Sequence, residues 1–224
     1  MRETLTEWQT RTGTRLLSGA GTTLPSGTPA QRVGWPVTVA LHRQWRLYRI
    51  RTLAPLTFAL LGPDAENAVD SYFAATPSST SYAATDAAGF LRHIAATRSR
   101  DPYFDEITFV ELALLRVRRP AETDPPPPPG RLRRSTRSSA RLTPFDAASL
   151  VLWLAGRRTE PPPRLTDGGG TLVAPAVPGW IRRVGEREVR AWEWLATDRP
   201  KSTVDRAGHR EPIAELRRLG AVLG

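Results

Sequence analysis

Cysteine is absent from this chain, which excludes disulfide staples and thiolate metal sites. A reducing cytoplasm is compatible with that absence. Lysine is nearly absent as well: Lys201 is the one lysine among 32 basic residues, a bias of the kind that genomic base composition produces. No apolar run approaches the roughly 18–20 residues of a membrane span. The opening stretch, Met1 to Trp8, lacks the continuous apolar core that a signal peptide needs. A cytoplasmic protein that does not enter a membrane is the expectation.

The 224 residues, 40% of them hydrophobic, suffice for one large domain or two small ones. A formal charge of +10 raises nucleic acid as a partner, so the location of that charge matters more than its size. Residues 1–115 hold eleven arginines against ten acids, and residues 116–141 hold eight against two. Residues 142–170 balance at three against three, and 171–224 hold nine arginines plus Lys201 against seven acids. Most of the excess therefore lies in and beside a Pro-rich stretch, not on a folded face.

The first half reads as helical. Thr4 to Leu17 can form a short helix with Leu5, Trp8 and Leu16 as apolar points, and residues 19–36 read as an extended connection. From Val37 to Leu53, Leu41, Trp45 and Tyr48 recur at intervals of four and three, one face of a helix that Pro55 should kink or end. Pro63-Asp64 opens a further helix with Val69, Tyr72 and Phe73 inward, stopped at Pro77. Ser78 to Thr85 reads as a polar loop and Asp86 as the cap of a helix carrying Phe90, Leu91 and Ile94. Asp101-Pro102 opens the clearest helix, with Tyr103, Ile107, Val110, Leu114 and Val117 in one stripe.

The second half changes character. Pro125 to Pro129 favour polyproline II, and Arg131 to Arg141 is basic with few groups to bury, so residues 120–143 read as a linker. Pro144 to Leu154 is helical. Thr171 to Ala174 and Trp180 to Val184 are short β-type runs joined by a turn on Pro175, Pro178 and Gly179. Glu186 to Thr197 is helical with Val189, Trp192 and Leu195 inward, and Ser202-Thr203 can cap a short helix through Ala207. Pro212 and Gly220 bracket a last helix that buries Ile213, Leu216 and Leu219. The expectation is a mainly α protein: a helical domain over 1–119, the linker 120–143, and a small α/β winged-helix-like recognition domain over 144–224.

The order of elements also resembles a known family. Tyr48-Arg49, Leu53-Ala54-Pro55, Leu61-Gly62, Tyr72 to Pro77, Ser81, Phe90-Leu91, Pro102-Tyr103, Asp105 and Glu111 fall in the order seen in HvfC/BufC-type peptide-modification chaperones. The likeness covers about half of the chain, and the tail more loosely. Such proteins partner multinuclear non-heme iron oxidases that act on ribosomally made precursor peptides. The resemblance therefore implies a partner that binds a precursor peptide, with the iron in the partner enzyme and no cofactor here. It further implies that the C-terminal unit adds the peptide's leader as a strand to a sheet edge. The Pro/Arg insertion at 120–141 and the short, Pro-interrupted strands depart from the family.

The residues of the tail suit that role on their own terms. A two-stranded sheet must pack on helices, and its outer strand leaves amides and carbonyls that a peptide can satisfy. Leu172, Val173, Trp180, Ile181, Arg182, Arg183, Val189 and Trp192 are the candidate peptide-binding residues, the arginines pairing with acidic leader residues. Tyr103, Arg116 and Arg118 are the candidate enzyme-facing residues. Trp180 and Trp192 also read as core, and Arg182 and Arg183 as a solvated strand face.

Two other classes compete. A winged-helix DNA-binding transcriptional regulator would use Glu186 to Leu219 as a helix-turn-helix. Against it, the candidate recognition helix begins Arg210-Glu211-Pro212 and includes Glu215, acids that phosphates repel, and no wing follows Leu219. An enzyme would need a catalytic set. His42, His93 and His209 fall in separate elements without ligand spacing, although His42, His93 and Glu111 on neighbouring helices could form a site. Glu111 reads better as a buried, satisfied acid. Ser78 to Ser81 lack an activating base, and Gly168 to Gly170 lack the Lys-Ser/Thr of a phosphate loop. A non-catalytic protein is the expectation.

Overall fold

A computed structural model describes residues 29–76, 82–120, 124, 126–129, 131–156, 168–196 and 208–224. The expected helices over 4–17 and 202–207, the Pro77 stop, the loop at 78–81 and the prolines at 161–163 lie outside these residues. The chain divides into two compact units, Met1–Ser99 and Arg100–Gly224.

The first unit is helical. Helix α1 (Pro29–Leu53) begins eight residues before the expected start at Val37, its proline at a first-turn position where no amide donor is needed. Pro55 breaks it into α2 (Pro55–Leu61), which ends on Gly62 at φ +56. A 3-10 turn over Gly62–Asp64 leads to α3 (Ala65–Ala75) and then α4 (Ala83–Thr97). The core holds Ile50, Ala54, Leu61, Val69, Tyr72, Ala87, Phe90, Leu91 and Ile94, with the Tyr72 and Phe90 rings edge-to-face at 5.7 Å.

Asp86 does not take its expected role. It does not cap α4, because the helix starts a turn earlier at Ala83. It is buried and takes a two-point ion pair from Arg46, Nε to Oδ2 at 3.0 Å and Nη2 to Oδ1 at 2.9 Å. Arg46 therefore faces inward with Ile50, and Leu41, Trp45 and Tyr48, which share one face as expected, lie exposed on the opposite side.

The second unit opens with α5 (Pro102–Val117), whose Asp101 cap accepts from the Tyr103 amide at 2.9 Å. Strands β1 (Arg133–Arg134) and β2 (Ser139–Leu142) precede helix α6 (Ala147–Ala155). Strands β3 (Gly170–Val173) and β4 (Ile181–Val184) follow. Helices α7 (Glu186–Trp194) and α8 (Arg210–Arg218) precede β5 (Val222–Leu223). The β-runs, α7 and α8 stand close to where the sequence places them.

The sheet has three antiparallel strands, β2-β3-β4, not the expected two, and β1 pairs separately with β5. The register aligns Ala140, Leu172 and Arg182, and beside them Ser139, Val173 and Ile181. Residues directly opposite share a face. One face, Ala140 with Leu172 and Val184, packs on Val189, Ala191, Ile213, Leu216 and Leu219 of the α7–α8 layer. The other, Val173 with Ile181, packs on Ala113, Leu114 and Val117 of α5. A sheet apolar on both faces needs a helix on each, which is why α5 belongs with the strands and not with the first 119 residues.

The stretch expected as a linker is largely folded. Arg141 of β2 pairs with Glu106 of α5 at 2.7 Å, and Arg137 donates to the Val117 carbonyl at 2.9 Å. These side chains are basic because α5 offers carboxylate and carbonyl acceptors, not because they face solvent. A Cβ at Gly170 would overlap both Val189 and the Arg141 carbonyl, so the missing side chain lets α7 lie close on the sheet.

Candidate functional site

The strand order sorts the expected peptide-binding residues. β3 is the central strand, hydrogen-bonded on both sides, and Leu172, Val173 and Val189 are wholly buried. These three belong to the protein's own core and cannot contact a guest. Trp192 is half-buried against that core; its indole N–H donates to Ser138 Oγ at 3.1 Å, and the Arg134 guanidinium covers its ring at 3.5 Å. Trp192 thus acts as a pillar between α7 and the strands, not as an open anchor.

Trp180, Ile181, Arg182 and Arg183 remain, all on or beside β4. Among the described residues β4 has one partner strand, and no main-chain hydrogen bond reaches its outer edge. Helix α6 packs against β4, yet Arg182 and Arg183 stay exposed and Ile181 partly so. Arg182 pairs with Glu215 of α8 at 3.3 Å. Glu215 also holds Arg218, and these arginines keep its carboxyl below the usual carboxylate range, the Arg218 hydrogen bond acting most strongly. Arg183 forms neither hydrogen bond nor ion pair with any described residue.

The turn entering β4 has an unusual backbone. Gly179 and Trp180 stand consecutively in the left-handed region, at φ +67 and +66. That conformation costs an L-residue roughly 1–2 kcal/mol. The turn is closed by Trp180 N–H to the Val177 carbonyl at 2.8 Å and by Ala174 N–H to the Trp180 carbonyl at 3.1 Å. Trp180 is the one non-glycine with positive φ among the described residues. The residue is 37% exposed, with the Arg118 guanidinium 5.5 Å from the centre of its ring.

The candidate enzyme-facing residues do not form one surface. Tyr103 packs inward on the rings of Phe145 at 4.9 Å and Trp153 at 6.4 Å. Arg116 donates to Ser139 Oγ at 2.9 Å and ties α5 to β2. Arg118 alone reaches the β4 turn, where it joins Trp180.

Sequence reading missed Glu106, the fully buried acid beneath this site. One of its oxygens takes Arg141 and the other takes Thr171 Oγ1 at 3.0 Å, so α5, β2 and β3 meet on one carboxylate. Its position one residue before Ile107 in an apolar stripe is the available signal. Glu111 is likewise buried.

His93 Nε2 lies 3.1 Å from Ser71 Oγ. Among the described residues no group of three His, Asp or Glu side chains could hold a metal ion. A cavity of about 470 Å³ lined by Arg187, Arg190, His209, Arg210, Glu211 and Pro212 is rimmed by both signs of charge. No described helix is long and apolar enough to cross a membrane. No protein-family model matches the chain, and no curated protein matches it.

Proposed function

We propose that the protein is a non-catalytic peptide-binding partner. The outer edge of β4 takes an extended, acidic segment of a ribosomal precursor peptide as an added strand, and a multinuclear non-heme iron oxidase carries out the chemistry. The observation that carries this reading is the edge itself: a strand without a main-chain partner on one side among the described residues, bearing Arg183, with Trp180 and Arg118 at its entrance. Main-chain pairing supplies affinity in such additions, and flanking side chains supply selectivity.

The charge on β4 supports an acidic guest. Two copies pairing antiparallel edge to edge, about a two-fold axis at Arg183, would set Arg183 directly against Arg183 of the second copy. Like charges directly opposite are destabilising, so the edge resists self-pairing while staying open to carboxylates. The winged-helix-like reading of this unit belongs to the same proposal. Glu211 and Glu215 on α8 weigh against duplex DNA as the ligand.

The test is peptide capture. Arg183→Glu should weaken binding of an acidic precursor leader by about 10-fold or more, as for a lost charge-assisted contact, while Arg182→Glu should do less because Glu215 already engages Arg182. Equal, unaltered binding by both variants removes the β4 edge from the proposal. A salt-dependent shift with duplex DNA at physiological ionic strength transfers it to the regulator class.

A further inference from the structure

Helix α1 is apolar on two opposite sides. At 100° per residue, Leu47, Ile50 and Leu53 share the sector that packs toward α4. Val37, Leu41, Trp45 and Tyr48, spaced four, four and three, fall within an ~80° sector on the far side. These four are 57%, 65%, 55% and 68% exposed. They form a strip about 16 Å long, at the spacing with which a helix seats its anchors in a groove. Scattered exposed apolar residues need no explanation, but an aligned row ending in Trp and Tyr does.

The charges around the row select the occupant. α1 carries arginines and no acid along its whole length. Arg43 is engaged by Asp70 and Arg46 by Asp86, both within the helical unit. Arg49 lies over the Trp45 ring at 4.3 Å on one flank of the row, and exposed Arg51 lies on the other. The surface is thus an apolar strip with a cationic margin. A second copy laid parallel on the strip would set Arg49 and Arg51 against their own equivalents. The strip is also narrower than the broad apolar face with which helices lie in a bilayer interface, and Gln44 and Thr52 stand within or beside it.

We propose that the Val37–Leu41–Trp45–Tyr48 strip is the docking surface for a separate protein presenting an apolar groove with an acidic rim. On the reading above, on which this assignment rests, that protein is the modifying oxidase. Enzyme and peptide then occupy separate units: the oxidase on α1 and the leader on β4. Neither needs Tyr103 or Arg116, which are engaged inside the second unit.

The experiment uses the full chain, a multinuclear iron oxidase encoded in the same genome, and that system's leader peptide. Leu41→Glu with Tyr48→Glu changes exposed side chains, so its melting temperature should match the parent. It should weaken the oxidase complex by about 100-fold, as the loss of two interface anchors does, and leave leader binding within twofold. Arg183→Glu should give the reverse pattern. Oxidase binding unchanged in the α1 variant overturns the assignment of the strip while leaving the peptide reading intact. Absence of any oxidase complex with the parent chain overturns the parent reading as well. Vesicles rich in anionic lipid that bind the parent but not the variant would reassign the strip to a bilayer. Concentration-dependent dimers lost in the variant would reassign it to a second copy.

Discussion

Arg46 and Asp86, forty residues apart, meet as a two-point ion pair with both side chains almost fully shielded from water. Tyr72 completes the arrangement by donating to Asp86 Oδ1 at 2.9 Å and to the Asp86 carbonyl at 3.1 Å. Burial, first, and then the Asp86 charge push the Tyr72 phenol well above its ordinary value, so it stays a donor throughout the working pH range. Three helices, α1, α3 and α4, converge on one carboxylate.

Removing one partner should therefore cost more than the pair contributes. Asp86→Ala strands the Arg46 guanidinium in an apolar site, and a loss of about 3–5 kcal/mol is expected. Replacing both together, Arg46→Met with Asp86→Leu, should recover much of that loss. Denaturant unfolding of the three variants measures the difference. A double variant no more stable than Asp86→Ala would show that the pair contributes directly.

Trp180→Gly separates strain from function. Glycine adopts φ near +66 without the steric penalty that tryptophan carries there. The residue is 37% exposed, so nearly two-thirds of it is buried, and the loss of that burial opposes the relief of strain. Relief of roughly 1–2 kcal/mol of strain should offset part of the lost burial, so the melting temperature should fall less than in Trp180→Ala, while leader capture falls in both because the ring beside Arg118 has gone. A fall as large as that of Trp180→Ala with leader capture unchanged would make Trp180 a core residue and remove it from the site.

Periodicity reports which positions share a helical face but not which face is buried, and α1 shows the limit. Leu41, Trp45 and Tyr48 are correctly aligned, yet the helix turns its other side inward because Arg46 finds a carboxylate across forty residues. A pairing at that separation leaves no local trace. The same holds for Arg141 and Glu106, which make a stretch read as basic linker into a strand. By contrast α8 is legible in detail: Pro212 near the start, Gly220 after the end, and Ile213, Leu216 and Leu219 inward. The two runs of the β3–β4 hairpin are legible too. Their strand order is not, since β2 enters from a segment whose small residues, Ser139 and Ala140, carry little strand propensity. With β2 in place, Leu172 and Val173 become central and only the β4 part of the expected site stays at an edge.

The Glu106 network predicts an asymmetry. Arg141 is partly exposed and keeps a second carboxylate, Asp105, at 3.0 Å. Glu106 has no exposure at all. Arg141→Met, which leaves a buried carboxylate with only Thr171, should therefore destabilise by about 3–5 kcal/mol. Glu106→Leu, which leaves a partly exposed arginine still paired with Asp105, should cost less. Equal losses in urea unfolding would show that the carboxylate gains solvent when Arg141 is removed.

His42 gives the helical unit a pH dependence whose sign follows from its surroundings. Burial, then the Arg46 charge, holds its imidazole below the ordinary value of 6.5, against a smaller pull from Asp86. A base with a depressed folded-state value contributes stability that is present above pH 6.5 and fades as the pH falls, because the unfolded chain takes up the proton first. Wild-type protein should lose more denaturant resistance between pH 7.5 and pH 5 than His42→Asn does, with both solutions at equal ionic strength. An NMR titration of the His42 ring should place its midpoint below that of the unfolded chain. A midpoint at or above the unfolded value would mean that Asp86 outweighs burial, and His42 would then not be the source of the acid sensitivity.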